Sequence, residues 1–249
     1  MQGKQTSIIF KLAAFALLFS CAAVLLSYFF SAFTSRAQKS GAVSENDGTI
    51  CVIIDAGHGG EDGGTQSAAG LLEKEVNLEI AKKLEKMLTA SGIDVIMTRS
   101  EDILLYDKTS NYQGHKKSLD LAARLKVANE TPNAIFVSIH ANSFPISKYQ
   151  GLQVYYSQND ERSYSLAKTI QDDVREFIQN GNDRKIKAAS SNIYLLDNAI
   201  CPAVLVECGF LSNPDEAAML AEDAYRQKIA FSMFCSIIKY IDSEGGSEL

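Results

Sequence analysis

The chain has no tryptophan, and only three histidines and four prolines among 249 residues. Any site built on imidazole must therefore draw on His58, His115 and His140. The five cysteines (Cys21, Cys51, Cys201, Cys208 and Cys235) include no Cys-x-x-Cys pair, which argues against zinc-ribbon and thioredoxin-type sites. Cys51, Cys208 and Cys235 fall inside apolar patterns and read as buried thiols, while Cys201 and Cys208 flank one short strand, a spacing poorly suited to a disulfide. No cluster of basic residues with interleaved aromatics occurs, and 30 acids against 24 bases leave a net charge of −6. No nucleic-acid partner is expected.

Charge is also missing from Leu12 to Phe33, an apolar run preceded by Lys4 and Lys11. A helix of that length spans roughly 33 Å, against a hydrocarbon core of about 30 Å. The apolar region of a signal peptide is usually about 7–15 residues. Residues 1–34 are thus expected to form a membrane anchor, with a cleaved signal segment as the alternative. Both put the remaining chain outside the cytoplasm. Residues 35–48 (SRAQKSGAVSENDG) are small and polar and read as a linker. One folded domain is expected over 49–243, followed by a polar tail at 244–249.

Within the domain, Ile50 to Asp55 and Ala134 to His140 are continuous apolar runs of the kind buried on both faces of a parallel sheet. Ile93–Thr98 and Gly151–Ser157 add two strands, and short strands are expected at Ile193–Leu196 and Ala203–Val206. Between them, Leu72, Val76, Ile80, Leu84 and Leu88 recur at helical spacing up to a stop at Gly92. Further helical patterns cover Leu119–Ala128, Leu166–Phe177 and Ile229–Ile241. The alternation predicts an α/β fold, a three-layer α/β/α sandwich around a mostly parallel sheet.

In such sheets ligands bind beyond the carboxyl ends of the strands. His58 follows the first strand, His140 ends the third, and Glu207 follows the apolar run AVLV. Glu73 stands at the start of the helix that the His58 loop leads into, although periodicity alone leaves Glu75 equally eligible. Two imidazoles and a carboxylate form the ligand set of a catalytic zinc, and a second carboxylate, free of metal, would serve as proton shuttle. Glu207 suits that second role, since a buried carboxylate without a partner is costly. His115, beside Lys116 and Lys117, reads as solvated. The loop GHGGEDGG lacks both the G-x-G-x-x-G spacing and a GK[ST] ending, and Glu61 and Asp62 would repel phosphate.

The segments DAGHGGEDGG, EKEVNL, MTRSED, SIHAN and PAVLVECGFLSNPDE, in this order from Ile50 to Ile241, resemble the zinc-dependent N-acetylmuramoyl-L-alanine amidases of the third amidase family. The resemblance implies a six-stranded mixed sheet and one zinc ion held by His58, Glu73 and His140, with Glu73 chosen over Glu75 because the family's ligand precedes Lys. It implies Glu207 as the catalytic carboxylate, and substrate- or ligand-orienting roles for Asn142 and Arg124. The substrate would be the amide between muramic acid and the first L-alanine of a peptidoglycan stem peptide. Within the family the chain is most similar to the sporulation amidases, in its N-terminal segment, the insertion DKTSNYQGHKKSLDLAAR and the run NIYLLDNAICPAVLVECGFLSNPDEAAML. That likeness implies action on spore-cortex glycan in the forespore intermembrane space, as the first step to muramic-δ-lactam, with an activating protein partner in prospect. The alternatives are a vegetative wall amidase and a non-catalytic peptidoglycan-binding protein of the same fold. Cys208, next to Glu207, predicts sensitivity to heavy metals and oxidants.

Overall fold

The structure, a computed structural model, describes residues 49–245 apart from residues 108, 110 and 111. The expected anchor and linker lie outside the described residues. Among the described residues no helix is long and apolar enough to cross a membrane.

Six strands and six helices are described: β1 (Cys51–Ala56), α1 (Glu73–Ala90), β2 (Asp94–Met97), α2 (Lys116–Glu130), β3 (Ala134–Asn142), β4 (Gln153–Tyr156), α3 (Arg162–Phe177), β5 (Lys187–Ala188), α4 (Tyr194–Asn198), β6 (Ala203–Phe210), α5 (Pro214–Ala221) and α6 (Asp223–Gly245). The sheet order is β2-β1-β3-β6-β4-β5. β2, β1, β3 and β6 run parallel, β4 runs antiparallel to β6, and β5 follows β4. The carboxyl ends of β1, β3 and β6 therefore share one edge with the start of β4.

Strand alternation divides the core. Val52 and Ile54 of β1, Val137 and Ile139 of β3, and Val204 and Val206 of β6 face Val76, Ile80, Leu84 and Leu88 of α1, together with α3 and α6. Ile53, Phe136, Ala203 and Leu205 face a smaller core under α2 and α4. Asp55, Ser138, His140 and Glu207 continue this second face towards the strand ends, where helix cover gives way to a cleft.

Several expectations change. Ile193–Leu196 is not a strand: Tyr194–Asn198 forms the short helix α4, whose adjacent Leu195 and Leu196 both enter the smaller core, which strand alternation would forbid. β6 extends beyond Val206 to Phe210, so Glu207 lies within a strand rather than after one. β5 and α5 are additional. The start of α5 is set by Asn213, whose side chain accepts from Asp215 N and Glu216 N, followed by Pro214. α6 reaches Gly245, so the expected tail begins as helix. Cys201 and Cys208 are free thiols.

Leu84 is completely buried between α1 and the sheet. Leu84→Ala is expected to cost about 2–5 kcal/mol, read as a lower urea midpoint with an unchanged m-value.

Candidate active site

At the end of β1 the chain turns at His58, which sits at φ 61° in the left-handed region, at a cost of roughly 1–3 kcal/mol for a residue with a Cβ. Space at the turn is set by glycines. A Cβ on Gly57 would lie 2.3 Å from the His140 imidazole, and one on Gly64 (φ 65°) would lie 2.5 Å from Glu73 Oε2.

Two arginines hold the turn by its carbonyls. Arg124 donates from Nη1 to Asp55 Oδ1 and Ala56 O and from Nη2 to His58 O, each at 2.7 Å. Its Nε donates to Asp120 Oδ2 at 2.7 Å. Arg99 donates from Nε to Ala56 O at 2.8 Å and from Nη2 to Gly57 O and Lys74 O, both at 2.9 Å. Asp55 also accepts from Thr98 Oγ1 at 2.7 Å and Ser138 Oγ at 2.6 Å. Burial by itself would raise the Asp55 carboxyl, but Arg124 and these hydroxyls outweigh it and hold it below the ordinary range.

On this frame the three expected ligands converge. His140 Nδ1 lies 2.9 Å from Glu73 Oε1 and His58 Nε2 lies 3.2 Å from the same oxygen. One donor atom from each residue falls within 4.8 Å of the other two, so the group could hold a metal ion. Glu73 is buried in the first turn of α1, whereas Glu75 is exposed. Its carboxylate accepts from Thr65 N at 2.9 Å and Ala141 N at 3.2 Å. Burial opposes ionisation of Glu73, yet the His140 and His58 contacts outweigh it and keep the group far below the usual carboxylate range. Two imidazoles around an ionised carboxylate, in a cradle that Cβ atoms at positions 57 and 64 would fill, fit a single divalent ion.

Glu207 stands directly across from His140 in the β3–β6 register. Its Oε2 is buried with no hydrogen-bond partner among the described residues. Burial pushes its carboxyl up to about 7; the charge of Glu73 adds to this, and the two histidines oppose it. The cleft in front, about 270 Å³, is bounded by Lys117 and Leu121 of α2 and by Asn192, Ile193 and Tyr194.

Other expected residues fare differently. Arg124 is 1% exposed and its nitrogens are spent on protein acceptors, which favours positioning of the His58 turn over contact with substrate. Asn142 lies past a register shift in β3, and its Oδ1 accepts from Ser143 N at 2.8 Å. His115 is exposed, as expected. Cys208 alternates away from the cleft into the larger core, and burial there pushes its thiol far up, so sequence adjacency to Glu207 does not make it reactive. Sequence reasoning missed Asp62, whose Oδ2 lies 2.9 Å from His58 Nδ1, on the ring nitrogen turned away from Glu73. A carboxylate on the second nitrogen fixes a ligand's ring orientation. Its only sequence signal was an acidic side chain in a glycine-rich loop.

Two outcomes follow from this geometry. Gly57→Ala is expected to displace His140 and weaken metal binding about 10-fold or more, measured by competition with a chromogenic chelator, with far-UV circular dichroism unchanged. For Glu207, burial pushes the folded carboxyl up to about 7 from an ordinary 4.5, so between these values the folded state binds more protons than the unfolded one. Stability of the chelated protein therefore falls as pH rises from about 4.5 to about 7 and levels off above, by roughly 1–3 kcal/mol from this group. Glu207→Gln removes that loss, so urea unfolding should show the variant gaining on the native chain over this window. Parallel pH profiles would refute it.

The sequence profile of the family described as N-acetylmuramoyl-L-alanine amidase matches residues 52–239. The chain is 38% identical over 194 residues to the germination-specific N-acetylmuramoyl-L-alanine amidase of Bacillus subtilis, covering 78% of this chain and 81% of that protein. Among solved structures, the CwlD amidase from Clostridioides difficile in complex with the GerS lipoprotein is similar with a TM-score of 0.74 at 36% identity, covering 78% of this chain and 100% of that one. The catalytic domain of the amidase CwlV from Bacillus (Paenibacillus) polymyxa gives a TM-score of 0.65 at 32% identity, over 78% and 99% of the two chains. With its mixed six-stranded sheet, the chain belongs to the N-acetylmuramoyl-L-alanine amidase family, enzymes that act on peptidoglycan.

Proposed function

We propose that the enzyme is a zinc amidase that hydrolyses the bond between muramic acid and L-alanine in spore-cortex peptidoglycan, as the first step to muramic-δ-lactam. The observation that carries the reading is the convergence of His58, Glu73 and His140 beside a buried carboxyl on Glu207 that titrates near neutrality. His58, Glu73 and His140 would hold the zinc ion, and Asp62 would orient His58. Zinc supplies a Lewis acid that polarises the scissile carbonyl and acidifies water.

Glu207 then acts as the proton carrier. Ionised, it takes a proton from the attacking water; protonated, it passes that proton to the departing alanine nitrogen. In the metal-free protein burial holds this carboxyl up to about 7, and a divalent ion beside it would favour the ionised form that takes the first proton. The unpartnered Oε2 leaves this oxygen available to the water. Arg124 and Arg99 act at a distance from the reaction, holding the carbonyls of residues 56–58 and with them the His58 ring.

The germination-specific relative supports the cortex role. The amidase solved with the GerS lipoprotein supports an activating protein partner for this chain. We further place the domain outside the cytoplasm, held at the forespore membrane by residues 1–34, on the strength of the uncharged run Leu12–Phe33.

Purified cortex peptidoglycan incubated with zinc-quantified protein should release stem peptides that begin with alanine, read by mass spectrometry. Release should stop on chelation and return with zinc. Glu207→Gln should keep zinc and lose activity by about 10²–10⁴-fold, whereas His140→Ala should lose both. Zinc-free Glu207→Gln protein would overturn its assignment as a carboxylate that does not bind the metal.

A further inference from the structure

The described arginines fall into two groups. Arg124, Arg162, Arg175 and Arg226 each pair with a carboxylate. Arg99 and Arg184 are in no ion pair among the described residues, and Arg99 spends all three guanidinium nitrogens on carbonyls. Arg184 is different. Its Nε donates to Gln150 O at 2.7 Å and its Nη1 to Gln153 Oε1 at 2.9 Å, while Nη2 has no acceptor among the described residues. The guanidinium lies over the Phe210 ring at 4.4 Å, with Tyr149 at 6.0 Å.

This cation is held in place from several directions. Arg184 N donates to Asn182 Oδ1 at 3.0 Å, and Arg175 Nη2 donates to Arg184 O at 2.9 Å. Gln153 Nε2 donates to Lys185 O at 2.7 Å. Gln153, only 3% exposed, is a buried amide whose free energy of burial is recovered by these two bonds to the 184–185 segment. Its position matters most. Gln153 is the cross-strand partner of Glu207 in the antiparallel β4–β6 pair, so both side chains leave the same face of the sheet. The guanidinium is thus fixed one strand over from Glu207, on the side of the site away from α2.

The geometry points to Arg184 as a substrate clamp that takes a carboxylate on the peptide side of the scissile amide. This rests on the amidase reading above. A planar guanidinium with its outer nitrogen without an acceptor among the described residues, and with Glu216 near enough to feel its charge but not in an ion pair with it, matches a carboxylate. In a stem peptide whose second residue is D-glutamate joined through its side chain, the free carboxylate next to L-alanine is the α-carboxylate. The site carries Glu73, Glu207 and Asp62, which would repel such a group, and its exposed cation, Lys117, stands on the α2 side beside Asp62, so Arg184 offers a positive charge on the opposite side.

The test compares muramoyl-L-alanyl-D-isoglutamate with its isoglutamine analogue, in which a neutral amide replaces that carboxylate, using the zinc-loaded full chain in detergent. The native enzyme should favour the carboxylate by about 10-fold or more in kcat/KM, chiefly through KM. Arg184→Met should bring the ratio near 1, and Arg184→Lys should give an intermediate value. A ratio between substrates is insensitive to the fraction of protein folded. Equal use of both by the native enzyme, or an unchanged ratio in Arg184→Met, would overturn the clamp. Calorimetric binding of the same two compounds separates the two readings. Protein that hydrolyses neither but binds the carboxylate form more tightly, with the preference lost in Arg184→Met, keeps the clamp and removes the amidase reading; equal binding removes the clamp.

Discussion

The geometry of the site depends on one buried ion cluster. Arg124, from α2, is enclosed by Asp55 of β1 and Asp120 of its own helix, and it hands its remaining donors to the carbonyls of Ala56 and His58. Removing charges from water costs several kcal/mol per ion, and the loss is recovered only where geometry and hydrogen bonding are good on every side. Here Thr98, Ser138 and Leu105 N satisfy the lone pairs that Arg124 leaves over. What the cluster achieves is position: α2, β1 and the left-handed turn at His58 are locked to one another, and the orientation of the first imidazole is set with them. Arg99 repeats the device from the other side of the turn and reaches the first turn of α1 through Lys74 O.

With that turn fixed, two neighbouring glutamates are driven to opposite protonation behaviour by their surroundings. Glu73 is ringed by two backbone amides and the Asn77 amide, which donate to it, and by a nitrogen of each imidazole. It stays ionised. Glu207 is half-buried, its inner Oε2 without a partner among the described residues, and desolvation, with the charge on Glu73, makes its ionisation harder. The same residue type is thereby divided into a permanent anion and a carboxyl that exchanges its proton near neutral pH, a division of labour set by environment alone.

Much of this could be read from the sequence because strand ends are local signals. The apolar runs ending at Asp55 and His140 placed both histidines at one edge of a sheet, and the i+4 recurrence from Val76 to Leu88 placed α1 behind them. The choice between Glu73 and Glu75 was beyond periodicity, since both occupy a first helical turn; it is decided by contacts with residues 65 and 140 and 141, distant in sequence. The same limit hid Asp62, and also Gln153, whose interest lies wholly in standing opposite Glu207. α4 departs from expectation for another reason: the four-residue apolar run Ile193–Leu196 carries too little pattern to separate strand from helix, and its partners in the smaller core decide the matter.

The change of strand direction after β6 gives the site two unlike walls. On the parallel side, crossover helices return the chain behind the sheet, so the wall is α2 with its buried ion cluster, rigid and committed to holding ligands. On the antiparallel side, β4 begins at the site edge with Gln153 opposite Glu207, and the segments 143–152 and 178–186 beside it are irregular backbone propped by side-chain amides such as Gln153 and Gln179. Irregular segments can carry aromatic and basic side chains without disturbing the core, as the exposed Phe144 and Tyr149 and the half-buried Arg184 do here. His58, Glu73 and His140 therefore stand in the parallel half, where displacing one of them would disturb buried charges, whereas side chains in the antiparallel half can vary at little cost to the fold.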